Sequence, residues 1–151
     1  GYLKFWSGEK NKMKVLIKLF LKAHTFIYRL TGGAIMGKFS LPILLLTTTG
    51  RKSGKQRTTP LAYVSDGDSY VVIASNGGQA THPGWFYNLQ NQPQATIQVK
   101  SQMFGVVAKE ATLEQREQLW AKVIKIEPAY QKYQQGLTRQ IPVVILQPEK
   151  T

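Results

Sequence analysis

Apolar residues return every three or four positions early in the chain, at Leu16, Leu19, Phe20, Ala23, Ile27 and Leu30. That spacing predicts an amphipathic helix over residues 9–30. Lys14, Lys18 and Lys22 form a basic row on another face. Lysines interrupt every apolar run, so the segment is too charged for a transmembrane span, and Gly32 and Gly33 end it. The pattern then changes. Residues 40–50 (SLPILLLTTTG) read as a buried strand, and residues 56–66 (QRTTPLAYVSD) as a second one, with Pro60 pointing to an edge or a bulge. The triplet DGD at 66–68 predicts a hairpin turn and residues 69–76 (SYVVIASN) the return strand. Residues 77–92 read as a loop with a short helix, and residues 95–111 as a hairpin turning near 100–102. Residues 112–126 read as a helix opened by a Thr-x-x-Gln capping box, and residues 141–148 as a final strand. Hairpin connections imply mostly antiparallel pairing. About six short strands suggest a closed or partly closed barrel of mainly β, α+β class, with an N-terminal helix and a helix before the last strand. Two units are expected, a helical segment over 1–38 and a barrel over 39–151.

The 151 residues suffice for one sizeable core. There is no Cys, which excludes disulfides, thiolate catalysis and Cys-based metal sites and fits a reducing, cytoplasmic setting. A start at Gly1 and Tyr2 rather than Met is expected of a trimmed or tagged chain. Net charge is +12, and its distribution says more than its size. Residues 1–60 carry twelve Lys/Arg against one acid, Glu9; residues 61–151 carry eight against seven acids. Such a field attracts nucleic acid, anionic lipid or an acidic small molecule.

The positive charge peaks in TTTGRKSGKQRTTPLAYV, residues 47–64. A Walker loop needs G-x-x-x-x-G-K-[ST] followed by a helix. Here the glycines at 50 and 54 are one residue too close. Gln56 stands where the metal-binding hydroxyl belongs, and a strand with Pro60 follows. The phosphate-loop reading fails. A solvated hairpin turn is the plain alternative. Against it, Gly50 and Gly54 let backbone N–H groups approach an anion, and Ser53, Thr58 and Thr59 add neutral donors. Arg51 and Arg57 can grip phosphate or carboxylate with two parallel bonds, as Lys52 and Lys55 cannot. If Arg57 begins a strand, it shares a face with Thr59, and Thr58 shares the other with Pro60. The stretch reads as a polyanion clamp on a β-hairpin.

Conventional catalytic groups are scarce. His24 falls in the first helix and His82 before Pro83 in a loop, so no metal site is expected. Asp66 and Asp68 are explained by their turn. An enzyme with this inventory takes its reactive atom from a cofactor and supplies orientation. The segment ASNGGQATHPGWFYNL, residues 74–89, suits that work. Ser75, Asn76, Gly77 and Gly78 offer donors and exposed backbone. Trp85, Phe86 and Tyr87 either border a ligand or close the barrel. Tyr130 and Tyr133, three apart, share one helical face and serve either as packing or at the site.

With these segments in view, the chain resembles the deazaflavin-dependent nitroreductase family, which uses coenzyme F(420). The resemblance is carried by LLLTTTGRKSGKQRTTPLAYV, DGDSYVVIASNGGQATHPGWFYNLQNQP and YQKYQQGLTRQIPVVIL. It implies a split β-barrel related to flavin reductases. It also implies a polyanionic partner for the clamp, since the coenzyme, an 8-hydroxy-5-deazaflavin, carries a phosphate and an oligoglutamate tail. By resemblance Arg51, Lys52, Lys55 and Arg57 hold that tail with Ser53 and Thr58 nearby. Pro60, Leu61 and Ala62 line the deazaflavin, with Ala74, Ser75, Asn76 and Gly77 along its other edge. Asn88 and Trp85 close the pocket. Ser75, Trp85, Tyr130 and Tyr133 face the substrate, with the two tyrosines as catalytic candidates. The implied reaction is hydride transfer from reduced F(420) to a quinone, nitroaromatic or activated alkene. Three rivals stand beside it. One is an FMN-binding oxidoreductase of the same fold, which needs less positive charge. Another is a nucleic-acid module, for which no specific motif is present. The third is a non-catalytic carrier of the coenzyme. The basic helix over 9–30 adds an expected peripheral contact with anionic membrane.

Overall fold

The computed structural model describes residues 41–150. The helix expected over 9–30, His24 and the expected boundary at 38–39 lie outside the described residues. Six strands, β1 (Ile43–Thr49), β2 (Gln56–Asp66), β3 (Ser69–Ile73), β4 (Gln94–Val99), β5 (Gln102–Glu110) and β6 (Val143–Pro148), form a closed antiparallel barrel. Their order around it is β1-β2-β3-β6-β5-β4. Helix α1 (Gly84–Asn91) lies between β3 and β4 in sequence. Helices α2 (Leu113–Ile126) and α3 (Ala129–Gln135) lie between β5 and β6.

Strand period two decides what goes inside. Along β1, Leu44, Leu46 and Thr48 are buried and their neighbours half-buried. Leu44 and Leu46 join Leu61, Tyr63, Ile97, Val106, Val144 and Leu146 in the barrel core, to which α1 adds Trp85, Phe86 and Leu89. Full burial of each such side chain stabilises by about 1.5–3 kcal/mol. Strands β3 and β6 read as unbroken apolar runs for a different reason. Val72 and Val144 face that core, whereas Val71, Ile73, Val143 and Ile145 pack with Leu119, Trp120 and Val123 of α2. Both faces are covered, so both faces are apolar.

Three strand ends differ from expectation. β3 stops at Ile73 rather than Asn76, because Asn76, Gly77 and Gly78 take φ of 51°, 65° and 82°. That left-handed run cannot continue a strand. β6 starts at Val143 rather than Ile141. The Ile141 N–H donates to Gln134 Oε1 at 2.8 Å, and Pro142 has no N–H to offer. β1 starts at Ile43, later than the 40 expected, after Pro42. The capping box at α2 forms as read: Thr112 Oγ1 accepts from the Gln115 N–H at 3.2 Å, and Gln115 Oε1 accepts from the Thr112 N–H at 3.0 Å.

Candidate functional site

β2 pairs with β1 over residues 56–62 but with β3 only over 63–66. The β2–β3 ladder therefore ends where Tyr63 meets Val72. Beyond that point β2 runs on paired with β1 but not with β3, while the segment after β3 turns toward β6, with the Ala74 N–H donating to Pro142 O at 3.0 Å. The two diverging segments make a fork. One arm holds Arg57, Thr58, Pro60, Leu61 and Ala62; the other holds Ala74, Ser75, Asn76 and Gly77. The Tyr63 N–H points to the β1 side, where it donates to Pro42 O at 3.0 Å. Alternation then turns the nitrogen of Pro60 to the side away from β1, where no strand among the described residues needs an N–H. The edge character read from Pro60 is this local opening.

The faces of β2 sort the expected site residues. Leu61 pairs with Leu44 and is only 8% exposed, its side chain in the barrel core. Its side chain is withheld from the fork, and by the same alternation its N–H and C=O face β1. Pro60 and Ala62 are half-buried, and Thr58 is exposed, with Thr58 Oγ1 2.8 Å from Thr47 Oγ1. Thr59 and Arg57 follow Leu61 on the other face, with Arg57 exposed. Across the fork, Ala74 and Ser75 are buried and Gly77 is exposed. The Ser75 hydroxyl has no hydrogen bond among the described residues. Asn76 turns its amide back, Nδ2 donating to Thr81 O at 3.0 Å.

The β1–β2 connection is compact. The Gly50 N–H donates to Lys55 O at 2.7 Å, the Gly54 N–H to Gly50 O at 2.8 Å, and the Lys55 N–H to Ser53 Oγ at 3.2 Å. A Cβ at Gly50 would come within 2.8 Å of Ser53 Oγ and 3.1 Å of Lys55 O, so a larger residue there would make the turn shift. Asn88, on α1, ties this turn to the barrel. Its Oδ1 accepts from the Arg51 N–H at 3.1 Å and from Arg51 Nη1 at 3.2 Å, and its Nδ2 donates to Thr48 Oγ1 at 3.1 Å. Arg51 also lies over the Tyr87 ring, 5.0 Å from its centroid, and donates to Gly84 O. Two residues expected to touch a ligand are thus engaged with the protein. Asn88 is buried and holds the turn, and Arg51 is its fastening. Trp85 is likewise core, 7% exposed. The cations left over are Lys52, Lys55 and Arg57, all exposed, their side chains without a hydrogen bond or ion pair among the described residues.

Tyr130 and Tyr133 share a face of α3 with their rings 6.2 Å apart, edge to face. Tyr130 packs with the cluster under α2, and burial, then Glu127 and Tyr133, push its hydroxyl well above the usual phenol range. Tyr133 leans on the fork: a Cβ at Gly78 would come within 2.9 Å of its Cδ1. Among the described residues no group of His, Cys, Asp and Glu could hold a metal ion.

Reading the sequence alone assigns Arg139 no role. Its guanidinium reaches Ala74 O (3.3 Å), Ser75 O (2.8 Å), Gln79 O (3.0 and 3.1 Å) and His82 Nδ1 (3.0 Å). An arginine only donates, so His82 Nδ1 accepts and the proton sits on Nε2. Burial and then Arg139 hold His82 below the ordinary imidazole range, against an opposing pull from Glu110. The sequence signal for Arg139 is slight: a lone cation in an otherwise uncharged connection ahead of β6.

Residues 20–148 match the family model described as F(420)H(2)-dependent quinone reductase. A protein of Mycobacterium tuberculosis named F(420)H(2)-dependent quinone reductase is 41% identical over 83% of this chain and 88% of its own length. Among solved structures, one described as an F(420)-H(2)-dependent reductase superposes with a TM-score of 0.65 at 38% identity, covering 70% of this chain and 94% of that one. A second, described as a domain-swapped dimer, gives a TM-score of 0.65 at 32% identity, over 86% and 98% of the two chains.

Proposed function

Since this chain belongs to the F(420)H(2)-dependent quinone reductase family, and so is an oxidoreductase passing hydride from reduced F(420) to a quinone, we propose that the fork is where it does so. Nitroaromatics and activated alkenes are proposed as further electron-poor acceptors. The observation that carries the assignment is a fork with one cationic arm: Arg57 exposed on it, Lys52 and Lys55 exposed in the turn beside it, and none of the three engaged. Unpaired cations of this density suit a polyanionic tail, whereas the single phosphate of FMN asks for less. The half-buried faces of Pro60 and Ala62, with Ser75 on the opposite arm, suit a flat ring with polar edges. These residues fit the coenzyme.

Bound there, the reduced coenzyme supplies the hydride. The chain's own part is to bind and orient. Lys52, Lys55 and Arg57 hold the tail, and Asn88 keeps their turn in register with the barrel through Arg51 and Thr48. The two arms would hold donor and acceptor close together, and such orientation lowers a barrier by up to about 7–11 kcal/mol when geometry is right. Reduction of a quinone takes up a proton as well as the hydride, and Tyr133, against the Gly78 turn, is placed to orient the acceptor or relay that proton.

The deciding experiment is a fluorescence titration with F(420), and in parallel with FMN, on the parent, Lys55→Ala and Arg57→Ala. Each variant loses roughly tenfold in F(420) affinity, as expected for a charge-assisted contact, and added salt narrows the gap. Parental affinity in both variants removes the assignment. The basic segment at 9–30 adds a proposed contact with anionic membrane, and co-sedimentation with anionic rather than neutral vesicles is the expected outcome.

A further inference from the structure

We propose that Arg139 is a positioning residue for hydride transfer, because one guanidinium holds both ends of the turn that forms the second arm of the fork. The inference rests on the reading that this arm borders the coenzyme. The turn itself is weakly held. Asn76, Gly77 and Gly78 are all left-handed, and the turn's own backbone bonds are Gly78 N–H to Ser75 O at 3.0 Å and Gln79 N–H to Asn76 O at 3.2 Å. Two glycines in that conformation lose much freedom on ordering. Arg139 makes up the difference from outside. It grips Ala74 O and Ser75 O before the turn and Gln79 O after it, so the ends cannot separate. His82 Nδ1 fixes the remaining edge of the guanidinium.

The arginine is itself held by the helix that carries Tyr133. Gln134 Nε2 donates to Arg139 O at 2.9 Å, and Gln134 Oε1 accepts from the Ile141 N–H at 2.8 Å and from Arg116 Nη2 at 3.3 Å. Tyr133, one residue earlier, lies on Gly78. The turn is therefore pinned by Arg139 and touched at Gly78 by Tyr133, and both fastenings lead back to α3. A lysine at 139 keeps the charge but cannot span three carbonyls and a ring nitrogen, since its ammonium is a single point on a flexible stem.

Arg139→Lys and Gly78→Ala separate the possibilities. Hydrogen exchange at the Gly78 and Gln79 amides reads the turn directly, and F(420) titration with steady-state quinone reduction reads the site. In Arg139→Lys, with a cooperative melt retained, exchange at these amides rises and coenzyme affinity or turnover falls by roughly tenfold. Gly78→Ala, strained at φ +82° and crowding Tyr133, likewise raises exchange in the turn and lowers coenzyme affinity or turnover. If Arg139→Lys shows parental exchange, affinity and turnover while Gly78→Ala is impaired, the arm borders the coenzyme but Arg139 does not position it, and the proposal falls. If both variants loosen the turn and both keep parental affinity and turnover, the reading of the arm falls, and the proposal with it. Should Arg139→Lys not fold, His82→Leu removes one acceptor alone; parental exchange and affinity there overturn the proposal.

Discussion

Two tyrosines three residues apart have opposite prospects. Tyr130 is packed under α2, its hydroxyl raised by burial and left without a hydrogen bond among the described residues. A weaker acid in an apolar setting is a poor proton relay. Tyr130→Phe is therefore expected to keep turnover at the parental rate and to shift the melting midpoint little, which a melt and a quinone-reduction assay check together. Tyr133→Phe keeps the ring against Gly78 and removes only the hydroxyl. Coenzyme affinity is expected to hold while turnover falls, by more than tenfold if that hydroxyl is the principal relay and by less if water substitutes. Parental turnover in Tyr133→Phe leaves the side chain as a cover for the turn. The contrast is environmental: both rings pack against the core under α2, and Tyr133 also lies against the fork at Gly78.

Elements were readable wherever their signals are local. β2 and the hairpin β4–β5 fall where alternation and turn residues put them. α2 begins at its capping box, and Thr112→Ala is expected to cost about 1 kcal/mol by leaving the Gln115 N–H without its acceptor; chemical denaturation of the two proteins measures it. The misread ends were set by residues outside the strands' own apolar runs. Nothing around Ile141 announces that its N–H is taken by Gln134, and the apolar run of β3 gives no warning that three left-handed residues follow. The site divides along the same line. Its cations were legible because Arg51, Lys52, Lys55 and Arg57 are consecutive or nearly so. That Asn88 ties down Arg51 across 37 residues, and that Arg139 grips Ala74 across 65, is written in no local pattern.

At the scale of the molecule, His82 links acidity to stability. Its folded pKa lies below the unfolded value of about 6.5, so the unfolded chain binds the proton first. The contribution is complete above that value and is lost as pH falls from about 6.5 toward the folded pKa. Protonation also turns the acceptor of Arg139 into a donor. The melting temperature is expected to drop between neutral pH and pH 5, with a smaller drop in His82→Gln; equal slopes would assign the effect to other groups. The barrel's closure has a consequence of another kind. β6, last in sequence, lies between β3 and β5 rather than beside its predecessor alone. While the chain is being synthesised, the barrel stays open until residues 143–148 leave the ribosome, and β3 and β5 wait with bare edges of the kind that pair with other chains. A premature stop anywhere before β6 therefore yields not a slightly shorter enzyme but an unclosed sheet, a substrate for chaperones and proteases.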